Sequence, residues 1–85
     1  MVYCLLKEKT GNYAIYATGK RVDDMTGEIV FYKDEQEPEL RKQADCFPVH
    51  VKDIARLYAK YKAEFSKGEF REKLAIEIGW YLHIL

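Results

Sequence analysis

The sequence lacks an excess of charge of either sign, because its 85 residues carry 14 basic and 14 acidic side chains. A domain that binds nucleic acid mainly through phosphates usually has a clear basic excess. The bulk charge therefore gives no support to nucleic-acid binding. The halves of the chain differ only slightly, since residues 1–45 carry a net charge of −2 and residues 46–85 a net charge of +2.

Cysteine is scarce too, with only Cys4 and Cys46. Small secreted domains usually contain several disulfides. Both residues stand among apolar neighbours, where a free thiol behaves as a small hydrophobic group, but one disulfide between them stays open as an alternative. No apolar run reaches the roughly 18 residues of a membrane span, and Met1–Lys9 lacks the pattern of a signal peptide. We expect a cytoplasmic protein with no membrane partner.

Motifs for catalysis, cofactors or phosphate binding are missing as well. The five glycines are isolated, so they form no phosphate-binding loop, and Ser66, the only serine, is explained as a helix cap. The residues that match zinc in number and type are Cys4, Cys46, His50 and His83. Only Cys46 and His50 are close in sequence, and on an extended strand they would lie about 13 Å apart, too far to share an ion. We expect no metal, no cofactor and no enzymatic activity.

Hydrophobic residues, in contrast, are plentiful at 48% of the chain, which is typical of a globular protein. The length predicts one domain over residues 1–85. Its first part, residues 1–51, reads as strand-rich, and its second part, residues 52–85, as helix-rich. Aromatic residues make up 14% of the chain and supply much of the volume that a core needs.

Alternating apolar residues predict three strands in the first part, at Val2–Lys7, Tyr13–Thr18 and Glu28–Lys33. Between the first two strands, Thr10-Gly11-Asn12 is typical of a hairpin turn. Cys46–Val51 is predicted as a fourth, edge strand, because Pro48 cannot donate to a central ladder.

Two further segments read as helical. Pro38 could begin a short helical turn that runs through Leu40 and Ala44. A longer helix is predicted over residues 53–66, with Asp53 as its N-cap and Gly68 after its end. Its apolar residues recur at helical spacing and form one stripe: Ile54, Leu57, Tyr58, Tyr61 and Phe65.

The last segment, residues 70–85, fits two periodicities. Ser66 and Glu69 match a capping box at the start of a new helix, and Phe70, Leu74 and Ile78 continue at helical spacing. Alternate residues from Leu74 onward are also apolar, which is a strand pattern. We predict a helix here, because a helix needs no partner strand. The predicted fold is α+β: an antiparallel β-meander of three to four strands followed by two C-terminal α-helices packed on one face.

The leading functional hypothesis is a small non-enzymatic protein-interaction module that forms a homodimer or binds another protein. If residues 70–85 are a helix, Ile76, Trp80 and Ile84 form a second apolar column away from the docking face. Such a column must be buried against a partner, and tryptophan is enriched at interface hot spots. The alternative is that the first helix and the sheet cover both faces, or that the segment is a buried strand.

A second hypothesis, from another functional class, is a nucleic-acid-associated accessory protein. Lys52, Arg56, Lys60 and Lys67 fall on one side of the first helix, opposite its apolar stripe, where they could follow a phosphate backbone. The same row is typical of any solvated helix face. A third hypothesis is a small enzyme whose site the sequence does not reveal.

Overall fold

The computed structural model describes residues 1–76 of the chain, and these residues form one antiparallel β-sheet and one α-helix. The strands lie in the order β4-β3-β2-β1-β5, so β1 to β4 form a meander and β5 returns to pair with β1. The elements, in chain order, are β1 (Val2–Lys9), β2 (Tyr13–Gly19), β3 (Gly27–Tyr32), β4 (Glu39–Lys42), α1 (Val51–Phe65) and β5 (Lys73–Ile76).

The predicted hairpin between β1 and β2 is confirmed. The Thr10 amide donates to the Tyr13 carbonyl at 2.8 Å, and the Thr10 hydroxyl accepts from the amides of Asn12 and Tyr13. The threonine side chain thereby satisfies backbone groups that the tight turn leaves without ladder partners. The register between the strands shifts between Leu6 and Glu8, which marks a bulge in β1.

The predicted second C-terminal helix is wrong, and with it the predicted fold class. Ser66 ends α1 instead of beginning a helix, and its hydroxyl donates to the Ala63 carbonyl at 2.8 Å. Gly68 follows with φ +78°, a left-handed conformation that favours glycine. Lys73–Ile76 then forms β5. Residues 1–76 therefore contain five strands and one helix, where three to four strands and two helices were predicted.

Pairing with β1 explains why residues 73–76 are extended. Val2 lies opposite Ile76 and Cys4 opposite Leu74, so β5 completes the second edge of β1. Without β5, the backbone groups along this edge would have no ladder partners, and buried polar groups of the main chain are nearly always paired. The strand reading of the alternation, which the sequence left open, holds for these four residues.

Two smaller predictions around residue 45 are also wrong. Glu39–Lys42 is a strand and not a helical turn, with Leu40 opposite Ile29 of β3. The residues before α1, predicted as an edge strand, are a loop. The Gln43 side chain holds this loop in place. Its side-chain carbonyl accepts hydrogen bonds from the backbone amides of Ala44 and Val49, and its side-chain amide donates to the backbone carbonyl of Val49.

Helix α1 confirms the predicted helical stripe. Ile54, Leu57, Tyr61 and Phe65 are buried against one face of the sheet. The N-cap is His50, three residues before the predicted N-cap, Asp53. The Asp53 carboxylate instead accepts a hydrogen bond from the His50 amide at 3.4 Å. The negative charge of Asp53 in the first turn also interacts favourably with the positive end of the helix dipole.

The core between α1 and the sheet is centred on Phe65. Its ring lies 4.8 Å from the ring of Phe31 in β3, 5.4 Å from Phe70 and 6.2 Å from Tyr61, measured between centroids. Tyr16 of β2 packs edge-on to Phe31 at 5.7 Å, and its hydroxyl donates to the Arg71 carbonyl at 2.7 Å. These aromatic contacts join the sheet, the helix and the segment that leads into β5.

A second cluster joins the loop after β2 to the loop before α1. The Asp24 carboxylate is buried and accepts from the backbone amides of Cys46 and Phe47 at 3.1 and 2.9 Å, and from the Thr26 hydroxyl at 3.0 Å. These hydrogen bonds hold the pKa of Asp24 below its ordinary value, the bond from Phe47 being the largest cause.

Helix α1, the helix found within residues 1–76, is too short and too polar to cross a membrane.

Candidate interaction surfaces

The face of the sheet turned away from α1 carries apolar and aromatic side chains, and no element within residues 1–76 covers it. Side chains alternate along each strand, so the residues between those of the core point to this side. The register places them next to each other across the strands. We call this surface the open face and define it by Tyr3, Leu5, Tyr13, Ile15, Ala17, Val30 and Tyr32.

Side chains at the centre of the open face already have little exposure to solvent within the monomer. Val30 is 3% exposed although it lies on this face, and Ile15 lies directly opposite it on β2. Leu5 of β1, in contrast, is 42% exposed. The open face therefore combines a packed apolar centre with an apolar side chain that water still reaches.

Charged side chains of both signs border the centre. The Lys7 ammonium lies 3.0 Å from the Glu28 carboxylate, and the two strands that carry them flank Ala17 of β2. Because alanine is small, it leaves room for this pair to form over β2. The pKa of Glu28 is below its ordinary value, chiefly because of the hydrogen bond from Lys7.

Two tyrosines occupy the β3–β4 side of the open face. The rings of Tyr13 and Tyr32 lie 6.3 Å apart and line a shallow recess of about 180 Å³ together with Val30, Glu39 and Arg41. Burial, followed by the nearby Glu39 carboxylate, raises the pKa of the Tyr32 hydroxyl. Tyrosine with an apolar ring and a polar tip is common in protein interfaces.

The residues predicted for a C-terminal interface are only partly described. Ile76 lies in β5 and packs against the core cluster, on the α1 side of the sheet. The helical spacing that placed Ile76 in one column with Trp80 and Ile84 therefore does not apply at Ile76. Trp80 and Ile84 lie outside the described residues, and their part in an interface stays a prediction.

The predicted basic row is brought together only in part. Lys52, Arg56 and Lys60 are exposed on α1, while Lys67 lies in the turn beyond its end. The Lys60 ammonium donates to the Ala75 carbonyl of β5 at 3.0 Å. Sequence reasoning missed Lys62, which is also exposed on this helix; the signal was available, because Lys62 too lies outside the apolar stripe.

The four residues considered for zinc are not brought together where the structure describes them. Cys4 is buried beside Thr18, and burial raises the pKa of its thiol to about 11, whereas Cys46 is exposed. His50 begins α1, and His83 lies outside the described residues. Within residues 1–76, no three His, Cys, Asp or Glu side chains cluster in a way that could hold a metal ion, and both cysteines are free thiols.

Sequence reasoning did not identify the open face as a site, although part of its signal was visible. The alternation of Tyr13, Ile15 and Ala17 with Ala14 and Tyr16 already showed that β2 is apolar on both sides. What the sequence could not supply was the number of helices that cover the sheet.

Comparison of the chain with models of protein families, with curated proteins and with solved structures gave no match. The functional argument therefore depends on the surfaces of the molecule itself.

Proposed function

We propose that this protein is a non-enzymatic interaction domain that self-associates through the open face of its sheet. The observation that carries the proposal is an apolar, tyrosine-bearing sheet face that nothing within residues 1–76 covers. Antiparallel sheets that face water on one side usually alternate apolar and polar residues, with the polar ones outside. Here Leu5, Ile15 and Val30 occupy the outer side.

The size of the molecule fits a second copy as the occupant. Its principal dimensions are 39 × 28 × 18 Å, and the shortest is that of one helix layer on one sheet layer. The broad outline of the whole molecule encloses roughly 860 Å² as an ellipse, while each partner buries ~800 Å² in a standard stable interface, so a stable dimer would use most of this side of the sheet.

The charges also suit self-association. The net charge is zero, so two copies do not repel each other as a whole. Acidic and basic groups stand side by side around the apolar centre, as in the Lys7–Glu28 pair and in Glu39 with Arg41. In a two-fold symmetric dimer the same surface meets itself, so each copy presents both signs of charge to the other.

Sedimentation of the full chain between about 1 and 500 μM tests the proposal, with Leu5→Glu as the disrupting variant. Leu5 lies opposite Lys73 on β5, so a carboxylate there has a partner within the monomer and the fold is kept. The wild type should sediment as a dimer of 10.0 kDa chains. Leu5→Glu should weaken the dimer by about 10-fold: Leu5 is 42% exposed, so burying the rest of it contributes about 0.6–1.3 kcal/mol per copy, and a two-fold dimer loses this twice.

The matched control is Val51→Glu. Val51 is 80% exposed at the start of α1, on the other side of the sheet from the open face, so this variant should dimerise like the wild type. Circular dichroism checks that both variants keep the native fold. A wild type that stays monomeric at 500 μM, or equal association of Leu5→Glu and the wild type, would contradict the proposal.

A further inference from the structure

Helix α1 separates its charges by sign. Its four exposed ionisable residues are all basic: Lys52, Arg56, Lys60 and Lys62. Its two acidic residues are engaged by other groups of the domain. Asp53 is 5% exposed and accepts a hydrogen bond from the amide of the N-cap, His50. Glu64 accepts two hydrogen bonds from Arg71, of 2.6 and 2.9 Å.

From this separation we propose that the solvent face of α1 binds the phosphate backbone of double-stranded nucleic acid. The inference goes beyond self-association, because it uses the helix layer and not the open face. Lys52, Arg56 and Lys60 form a local excess of positive charge that the neutral composition conceals, whereas Lys62 shares a recess with Asp34 and Glu35. A duplex carries one negative charge per about 1.7 Å of its axis, which makes it a dense and regular partner for such a face.

The shape of this face supports the same partner. Lys52, Arg56 and Lys60 follow each other at about 6 Å along the helix axis, one turn apart. Ala55 is exposed beside them, and its small side chain leaves the helix surface low enough for a phosphate chain to approach.

The position of Lys60 is set by the fold. Its ammonium donates to the Ala75 carbonyl and lies 5.3 Å from the centre of the Tyr61 ring. An ammonium has three donors, so this contact leaves it able to bind a phosphate oxygen as well.

The exposed residues of α1 also indicate what kind of recognition to expect. They comprise cations, alanines and Val51, with no aromatic ring among them. Stacking on unpaired bases needs aromatic side chains, which single-strand binding surfaces supply. Contacts to phosphates carry no sequence information directly. We therefore expect sequence-independent binding to a duplex.

The experiment is fluorescence anisotropy of a labelled DNA duplex titrated with the full chain at NaCl concentrations from 20 to 200 mM. Three phosphate contacts, from Lys52, Arg56 and Lys60, predict a slope of log K against log salt of about −2.7, and a loss of about 40-fold in affinity between 50 and 200 mM. Lys52→Gln with Arg56→Gln should make the slope less steep by about 2. Both side chains are exposed, so circular dichroism should stay unchanged.

Lys9→Gln with Lys42→Gln is the matched control, because it removes two exposed positive charges on the sheet, away from α1. This variant should keep the slope of the wild type. The proposal is overturned by an absence of binding at 20 mM NaCl, or by equal effects of the two double variants. Competition by poly-glutamate as strong as by unlabelled duplex would also overturn it, since the face would then accept any polyanion. Dimerisation is measured separately, so either proposal can fail without the other.

Discussion

The hydroxyl of Tyr61 closes the outer edge of β5, and its removal should be costly. The hydroxyl donates to the Ala75 carbonyl at 3.2 Å and accepts from the Ala75 amide at 3.3 Å. One side chain of α1 thus takes the place of a neighbouring strand at this residue. Tyr61 itself is 6% exposed, so water has little access to its side of the contact.

The expected cost of Tyr61→Phe follows from the groups that it leaves without a partner. A hydrogen bond contributes about 0.5–1.5 kcal/mol net, and an unsatisfied buried group costs about 1–3 kcal/mol. Ala75 is half-buried, and Lys60 still donates to its carbonyl, so we expect about 1.5 kcal/mol. For a domain of this size that is a fall in Tm of roughly 6–12 °C.

Urea unfolding followed by circular dichroism measures this loss, with Tyr58→Phe as the control. Tyr58 lies on the same helix and is half-buried, and its hydroxyl has no hydrogen-bond partner within residues 1–76; its removal should change the free energy of unfolding by less than about 0.5 kcal/mol. Hydrogen exchange adds a local readout, because the Ala75 amide should lose protection in Tyr61→Phe beyond the global effect. Equal stabilities of the two variants, or unchanged protection of Ala75, would refute the bridging role.

Two further predictions concern buried groups. Asp24→Asn should lower stability at pH 7 more than Asp23→Asn, an exposed neighbour with the same change of charge. Because the folded pKa of Asp24 is depressed, its contribution is fully present above the ordinary pKa near 4 and is lost as the pH falls through the lower folded value; the variant should therefore show a flatter decline in acid, and equal acid profiles would contradict this reasoning. For the thiols, a disulfide-exchange reagent at pH 8 should modify Cys46 alone in the native protein and both cysteines in urea, because Cys4 is buried with a pKa of about 11; rapid native modification of two thiols would show that the β1 core opens.

The sequence predicted the elements whose own residues decide their structure. The first hairpin depends on Thr10 and on local alternation, and α1 depends on its five-residue apolar stripe; both are confirmed. Strand β4 has one apolar residue, Leu40, and is extended because β3 offers it an edge. Strand β5 is likewise selected by the unpaired edge of β1. Local patterns carry no information about such edges. Strand β4 was therefore missed, and for β5 the strand pattern was recognised but a helix was predicted.

The two edge strands of the sheet, β4 and β5, limit how two copies of the chain can associate. Edge strands with unpaired backbone groups invite pairing with another chain unless they are short, charged or covered. Within residues 1–76, β4 is four residues long and carries Arg41 and Lys42, and β5 is met at Ala75 by Tyr61 and Lys60. Both edges are therefore protected against adding a strand. A single helix some 10–12 Å wide covers one side of a sheet about 24 Å wide, and no element within the described residues covers the opposite side. Association of copies is thus directed away from the edges and toward the open face. There Leu5, which is 42% exposed, has the most side-chain surface left to bury in a dimer.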